Sequence, residues 1–157
     1  MVEVARVFLA AVLLIAGAAV AAATPATQPL TVGGIRIYVG VLPAAMISGH
    51  PPEHPEAAMH GGNPDRKHQF HILVTLFDAA SGPRITGAQV TAQVAELGLA
   101  GTRRTLEPMV IAGTESYGGY FKLDGDNPFL IALEIRRPDS GQVTRAEFED
   151  RHPWVAR

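Results

Sequence analysis

A chain of 157 residues has room for one domain and a targeting segment. Its 47% hydrophobic content against 18% charged residues excludes wholesale disorder, and a net charge of −2 leaves no basic excess for a nucleic-acid backbone. The absence of cysteine excludes disulfide frameworks, thiolate zinc sites, iron–sulfur clusters and cysteine nucleophiles together.

The N-terminus opens with Glu3 and Arg6, runs without charge from Val7 to Ala23, and closes on Ala21-Ala22-Ala23. That order of charged, apolar and small residues is the order of a secretory signal peptide, here a signal helix over residues 1–23. The alternative is an uncleaved membrane anchor, since the run sits at the lower end of the roughly 17–25 residues that span a bilayer. Either reading exports the rest of the chain. An exported chain without cysteine points to a bacterial periplasm. Residues 24–30 are small, polar and broken by Pro25 and Pro29, and read as a tether. Residues 31–157 read as the folded domain.

Strand signals then follow in order. Ile35, Ile37, Val39 and Val41 alternate with Arg36, Tyr38 and Gly40, the period of a half-buried strand. Residues 70–77 are largely apolar on both faces, which predicts a central strand. After the turn cluster of residues 78–83, Ala88, Val90, Ala92 and Val94 alternate with polar residues. Residues 105–111 form a weaker strand interrupted by Pro108, and residues 120–123 follow Gly118-Gly119. Phe129, Ile131, Leu133 and Ile135 share one face, and residues 143–148 make the last candidate. No segment after residue 30 holds a helical period for three turns. The expectation is an all-β, immunoglobulin-like antiparallel β-sandwich of about seven strands.

Residues 43–67 interrupt this spacing with a loop rich in His, Met and Pro. Loops of that length inside compact domains tend to be functional. Five of the six histidines fall between residues 50 and 71: His50, His54, His60, His68 and His71. Met46 and Met59 lie in or beside that window. Imidazole is the commonest protein metal ligand, and thioether sulfur favours Cu(I). The expected metal ligands are His50, His54, His60 and His71, with Met46 and Met59 as soft donors. His68 comes last, because strand parity with Phe70 would turn it inward, whereas His71 shares the face of Leu73. Copper is the expected ion and zinc the second choice. Pro51, Pro52 and Pro55 prevent the helix that would align His50 with His54. The competing reading is a solvated loop that faces a protein partner. Met109 reads as a core filler, or as a distal ligand brought in by the fold.

Enzyme signatures are not found. Gly-x-Ser-x-Gly is absent, no nucleophile–base pair is visible, and the glycine pairs 33–34 and 118–119 precede no helix that would hold a phosphate. The chain reads as a non-catalytic protein.

The segment Phe77-Asp-Ala-Ala-Ser-Gly82, then Ile85-Thr-Gly-Ala-Gln-Val90, Leu106-Glu-Pro-Met109, Gly118-Gly-Tyr-Phe121 and the strand Pro128 to Ile135, resembles the order of small exported domains of the YtkA-like type. This chain departs in two places: Arg84 separates Pro83 from Ile85, and Tyr120 and Phe121 are adjacent. The resemblance covers about residues 70–137. It implies an immunoglobulin-like sandwich and an accessory role beside copper handling or respiratory oxidases, with a protein partner in such a complex. It assigns no ligand to the His-rich segment. A membrane enters only if the N-terminal helix is uncleaved.

Overall fold

The computed structural model describes residues 23–44, 69–123 and 127–151. All but the last residue of the expected signal helix lie outside these residues, as do His50, His54, His60, His68, Met46 and Met59. Among the described residues no helix is long and apolar enough to cross a membrane.

Nine strands are described: β1 (Thr24–Pro25), β2 (Leu30–Val32), β3 (Ile35–Pro43), β4 (Gln69–Asp78), β5 (Gln89–Glu96), β6 (Thr102–Ile111), β7 (Thr114–Lys122), β8 (Phe129–Arg136) and β9 (Val143–Asp150). The all-β expectation holds, but the strand count is nine rather than about seven. The two additions are short and lie at the start. β1, inside the stretch read as a tether, pairs in parallel with β9, and Ala26 beside it is buried. Two-residue and three-residue strands carry too little alternation to register in a sequence pattern.

The strand order is β1-β9-β8-β5-β6-β7-β4-β3-β2. β6 makes the fold turn over on itself. Its first half pairs with β5, from Val90↔Leu106 to Val94↔Thr102, and its second half pairs with β7, from Glu107↔Gly118 to Ile111↔Thr114. Pro108 stands just past that handover; a residue without an N–H is tolerated where ladder pairing changes. The result is a nearly closed architecture between a sandwich and a barrel. β2 approaches β9 at the far side, where Gly33 (φ 56°) faces Thr144. A Cβ on Gly33 would lie 2.6 Å from the Thr144 hydroxyl, so only glycine satisfies both the left-handed backbone and the close approach.

Strand β4 is central, as expected, with β3 on one side and β7 on the other. Its Phe70, Ile72, Val74 and Leu76 face the core. Val90, Ala92, Ile131, Leu133, Ile135 and Phe148 close that core from the other half of the fold. Each of these side chains other than Ala92 contributes about 1.5–3 kcal/mol by leaving water.

Turn chemistry fixes where β4 ends. Asp78 Oδ1 accepts hydrogen bonds from Ala80 N (3.1 Å), Ser81 N (2.8 Å) and Ser81 Oγ (2.7 Å). These bonds, led by the Ser81 amide, hold the Asp78 carboxyl down at about 2. Arg137 bridges Asp78 (3.4 Å) and Asp139 (2.8 Å), and so ties the β4–β5 turn to the β8–β9 turn.

At the other side of the core, Tyr117 Oη donates to Glu115 Oε1 (2.6 Å) and accepts from Ala88 N (2.9 Å). Gly87 N donates to the same carboxylate oxygen at 2.7 Å. This group latches β7 to the entry of β5.

Candidate metal centre

The outer face of the β6-β7-β4-β3 half carries the polar chemistry. Parity along β4 sends His71, Leu73, Thr75 and Phe77 to this face, opposite the core residues. His71 lies in register with Leu42 of β3 and Tyr120 of β7. Its ring meets that of Tyr120 at 4.8 Å between centroids, tilted by 48°. The parity expected for His71 therefore holds. Its burial was not expected: only 4% of the residue is exposed, although it points away from the core.

Met109 explains part of that burial. It is 5% exposed, yet it does not belong to the apolar core cluster. Register places it opposite Ser116 on β7, and Ser116 continues the outer row through Thr75. Met109 is thus buried as a filler would be, but on the outer row and outside the core cluster. Leu106 and Met109 are an odd number of residues apart on β6, so strand alternation turns the methionine to the face opposite the inward Leu106.

His71 and Met109 meet over Gly118. A Cβ at Gly118 would lie 2.6 Å from His71 Nε2, 2.6 Å from Met109 Sδ and 2.7 Å from His71 Cε1. The imidazole nitrogen and the thioether sulfur therefore occupy the space that any other residue's side chain would fill. The two donors lie within twice 2.6 Å of each other. One ion held at about 2.0 Å from nitrogen and about 2.3 Å from sulfur needs donors no more than about 4.3 Å apart, a separation that this bound admits. The donor set, the glycine cradle and the burial together fit a soft metal ion.

A polar chain borders the pair. Ser116 Oγ and Thr75 Oγ1 are 3.0 Å apart, and Arg84 Nη1 donates to Ser116 Oγ (3.1 Å) and to Glu115 O (2.8 Å). The Arg84 guanidinium lies 5.0 Å above the Phe77 ring. Ser116, 3% exposed, is thereby held beside Met109. Glu107, exposed and in register with Gly118, stands at the rim.

Of the seven expected ligands, the described residues contain His71 alone. They hold no group of three His, Asp or Glu residues able to grip an ion. The segment that carries the other six leaves β3 and enters β4 next to this site, since Pro43 pairs with Phe70 and Leu42 with His71. The partnership of Met109 with His71 was missed because β7 was expected to begin at Tyr120. The signal was Ala112-Gly113, a two-residue hairpin turn that sets Met109 opposite Ser116 and Glu107 opposite Gly118.

Fold and site define a small, nearly closed all-β domain with a buried nitrogen–sulfur pair on its outer face. No family model and no curated protein matches the chain. Among solved structures it is similar to a copper-bound variant of FetP from uropathogenic Escherichia coli, with a TM-score of 0.62 and 15% identity over 83% of this chain and 97% of that one. It is similar as well to FetP as isolated after expression in the E. coli periplasm (TM-score 0.61, 16% identity, 82% of this chain and 94% of that one). A DUF4426 family protein from Pseudomonas aeruginosa also shares the fold (TM-score 0.56, 15% identity, 80% and 96%).

Proposed function

We propose that this chain is an exported metal-binding accessory or carrier protein, with copper as its ion and no catalytic activity of its own. The observation that carries this reading is the convergence of His71 Nε2 and Met109 Sδ over the bare Cα of Gly118. The concentration of His50, His54, His60 and His68 with Met46 and Met59 in the segment that enters beside His71 supports it. So does the likeness in fold to a copper-bound FetP. The signal-peptide pattern and the resemblance to YtkA-like domains support a periplasmic site of action. They also support a partner protein in a metal-handling or respiratory complex.

In this reading His71 and Met109 form the fixed part of the site. They are set on β4 and β6, each hydrogen-bonded to β7 between them, and so are held in place by the sheet.

Native mass spectrometry of the purified chain during copper and zinc titration tests the proposal. Stoichiometric copper uptake is expected, lowered both by His71→Ala and by joint replacement of His50, His54 and His60 with Ala. If neither ion is taken up, the proposal fails, and a protein-interaction module without a metal site stands in its place.

A further inference from the structure

We infer that the His71–Met109 pair is a Cu(I) site, with Met109 as the residue that sets the oxidation state; this rests on the metal-binding reading above. Thioether sulfur is a soft, uncharged donor. It holds Cu(I) well and the harder Zn(II) and Cu(II) poorly. An uncharged pair also suits a singly charged ion better than a doubly charged one, because less charge is left in a site that water hardly reaches. His71 and Met109 are 4% and 5% exposed, so water does not compete for the bound ion.

The cradle adds selectivity through shape. Gly118, having no side chain, lets nitrogen and sulfur approach one point of β7, and Ser116, tied to Thr75 and Arg84, stands beside the methionine. The one carboxylate in register with this space, Glu107, is exposed at the rim. A site for a hard divalent ion would put its carboxylate inside and its thioether outside. Here the order is reversed.

The test is anaerobic competition of the full chain against a chromophoric Cu(I) chelator, with parallel Zn(II) titrations. Met109→Leu keeps the apolar volume and removes the sulfur. It should weaken Cu(I) binding at least tenfold and leave Zn(II) affinity within twofold of the parent. A Met46→Leu/Met59→Leu double variant should keep its Cu(I) affinity. The chain holds four methionines and no cysteine, so Met1 and Met109 are the only sulfurs left in that double variant. X-ray absorption of its Cu(I) form should show a sulfur neighbour at about 2.3 Å.

Three results bear the other way. Unchanged Cu(I) affinity in Met109→Leu, or an absorption spectrum without sulfur, overturns the inference while copper binding by the chain stands. A parent that takes up no metal at all removes the metal-binding reading and the inference with it. The spectrum is recorded on a variant with β4, β6 and β7 intact, so the inference can be refuted even if Met109→Leu does not fold.

Discussion

Gly118→Ala puts a methyl group where the imidazole and the thioether now meet. The new carbon would lie 2.6 Å from His71 Nε2, 2.6 Å from Met109 Sδ and 2.7 Å from His71 Cε1. Ordinary carbon contacts are about 3.5–4.0 Å, so both side chains must withdraw by about 1 Å. Both are nearly buried, so withdrawal disturbs their packing as well as the site. Overpacking of this kind costs about 1–3 kcal/mol. For a domain of this size that is a fall in Tm of roughly 4–12 °C. Copper affinity should fall at least tenfold, because nitrogen and sulfur are driven apart. Gly40→Ala is the control. It lies on the same outer face, where a Cβ would meet only Leu73 Cβ, at 3.8 Å. It should leave Tm and copper affinity as in the parent. Thermal melts followed by circular dichroism, together with copper competition, read both effects. A Gly118→Ala variant that melts and binds copper as the parent does would refute the placement of His71 and Met109 over Gly118.

Two further predictions concern stability. Tyr117→Phe removes the acceptor of the Ala88 N–H and a donor to Glu115. It should cost about 1–3 kcal/mol, read as a lower denaturant midpoint at constant m-value. Burial, and then the bond to Glu115, push the Tyr117 hydroxyl up to about 12. The folded value is raised above the ordinary one near 10, so its contribution to stability is complete below about pH 10 and is lost as pH rises through about 12. Absorbance titration should show one of the three tyrosines ionising only as the fold is lost, and ordinary titration of all three would count against the latch. Ala112 holds φ at 49° ahead of Gly113 at 76° in the β6–β7 turn. Ala112→Gly relieves a left-handed strain of about 1–2 kcal/mol against an entropic loss of about 0.5–1 kcal/mol, so the urea midpoint should rise slightly. A clear fall would show that Ala112 is not strained.

Much of this protein is legible in its sequence because a strand writes its two faces into alternate residues. Ile35 to Val41, Phe70 to Phe77 and Phe129 to Ile135 carry that period plainly, and each is a strand whose inner row lies in the core. The central position of β4 follows from its two apolar faces, and the outward parity of His71 from its distance to Phe70. Composition alone excluded every thiol-based site, and it drew attention to imidazole and thioether. Partnership is not written in the same way. β1 and β2 are too short to show a period, and they exist because β9 and β3 supply their ladders. The start of β7 is hidden because Thr114, Ser116 and Gly118 are small or polar on its outer row. Met109 looks like a core residue until β6 is seen to leave β5 for β7 at Glu107, which sets the methionine on the outer row beside Ser116. His71 and Met109 are 38 residues apart and sit on strands that do not pair with each other. β7 lies between them, and the residue it contributes at their meeting point is Gly118, which has no side chain of its own. Local pattern determines which face each donor takes. Only tertiary pairing decides that the two donors meet, because the distance between them is set by strand order and by the space left empty at a glycine.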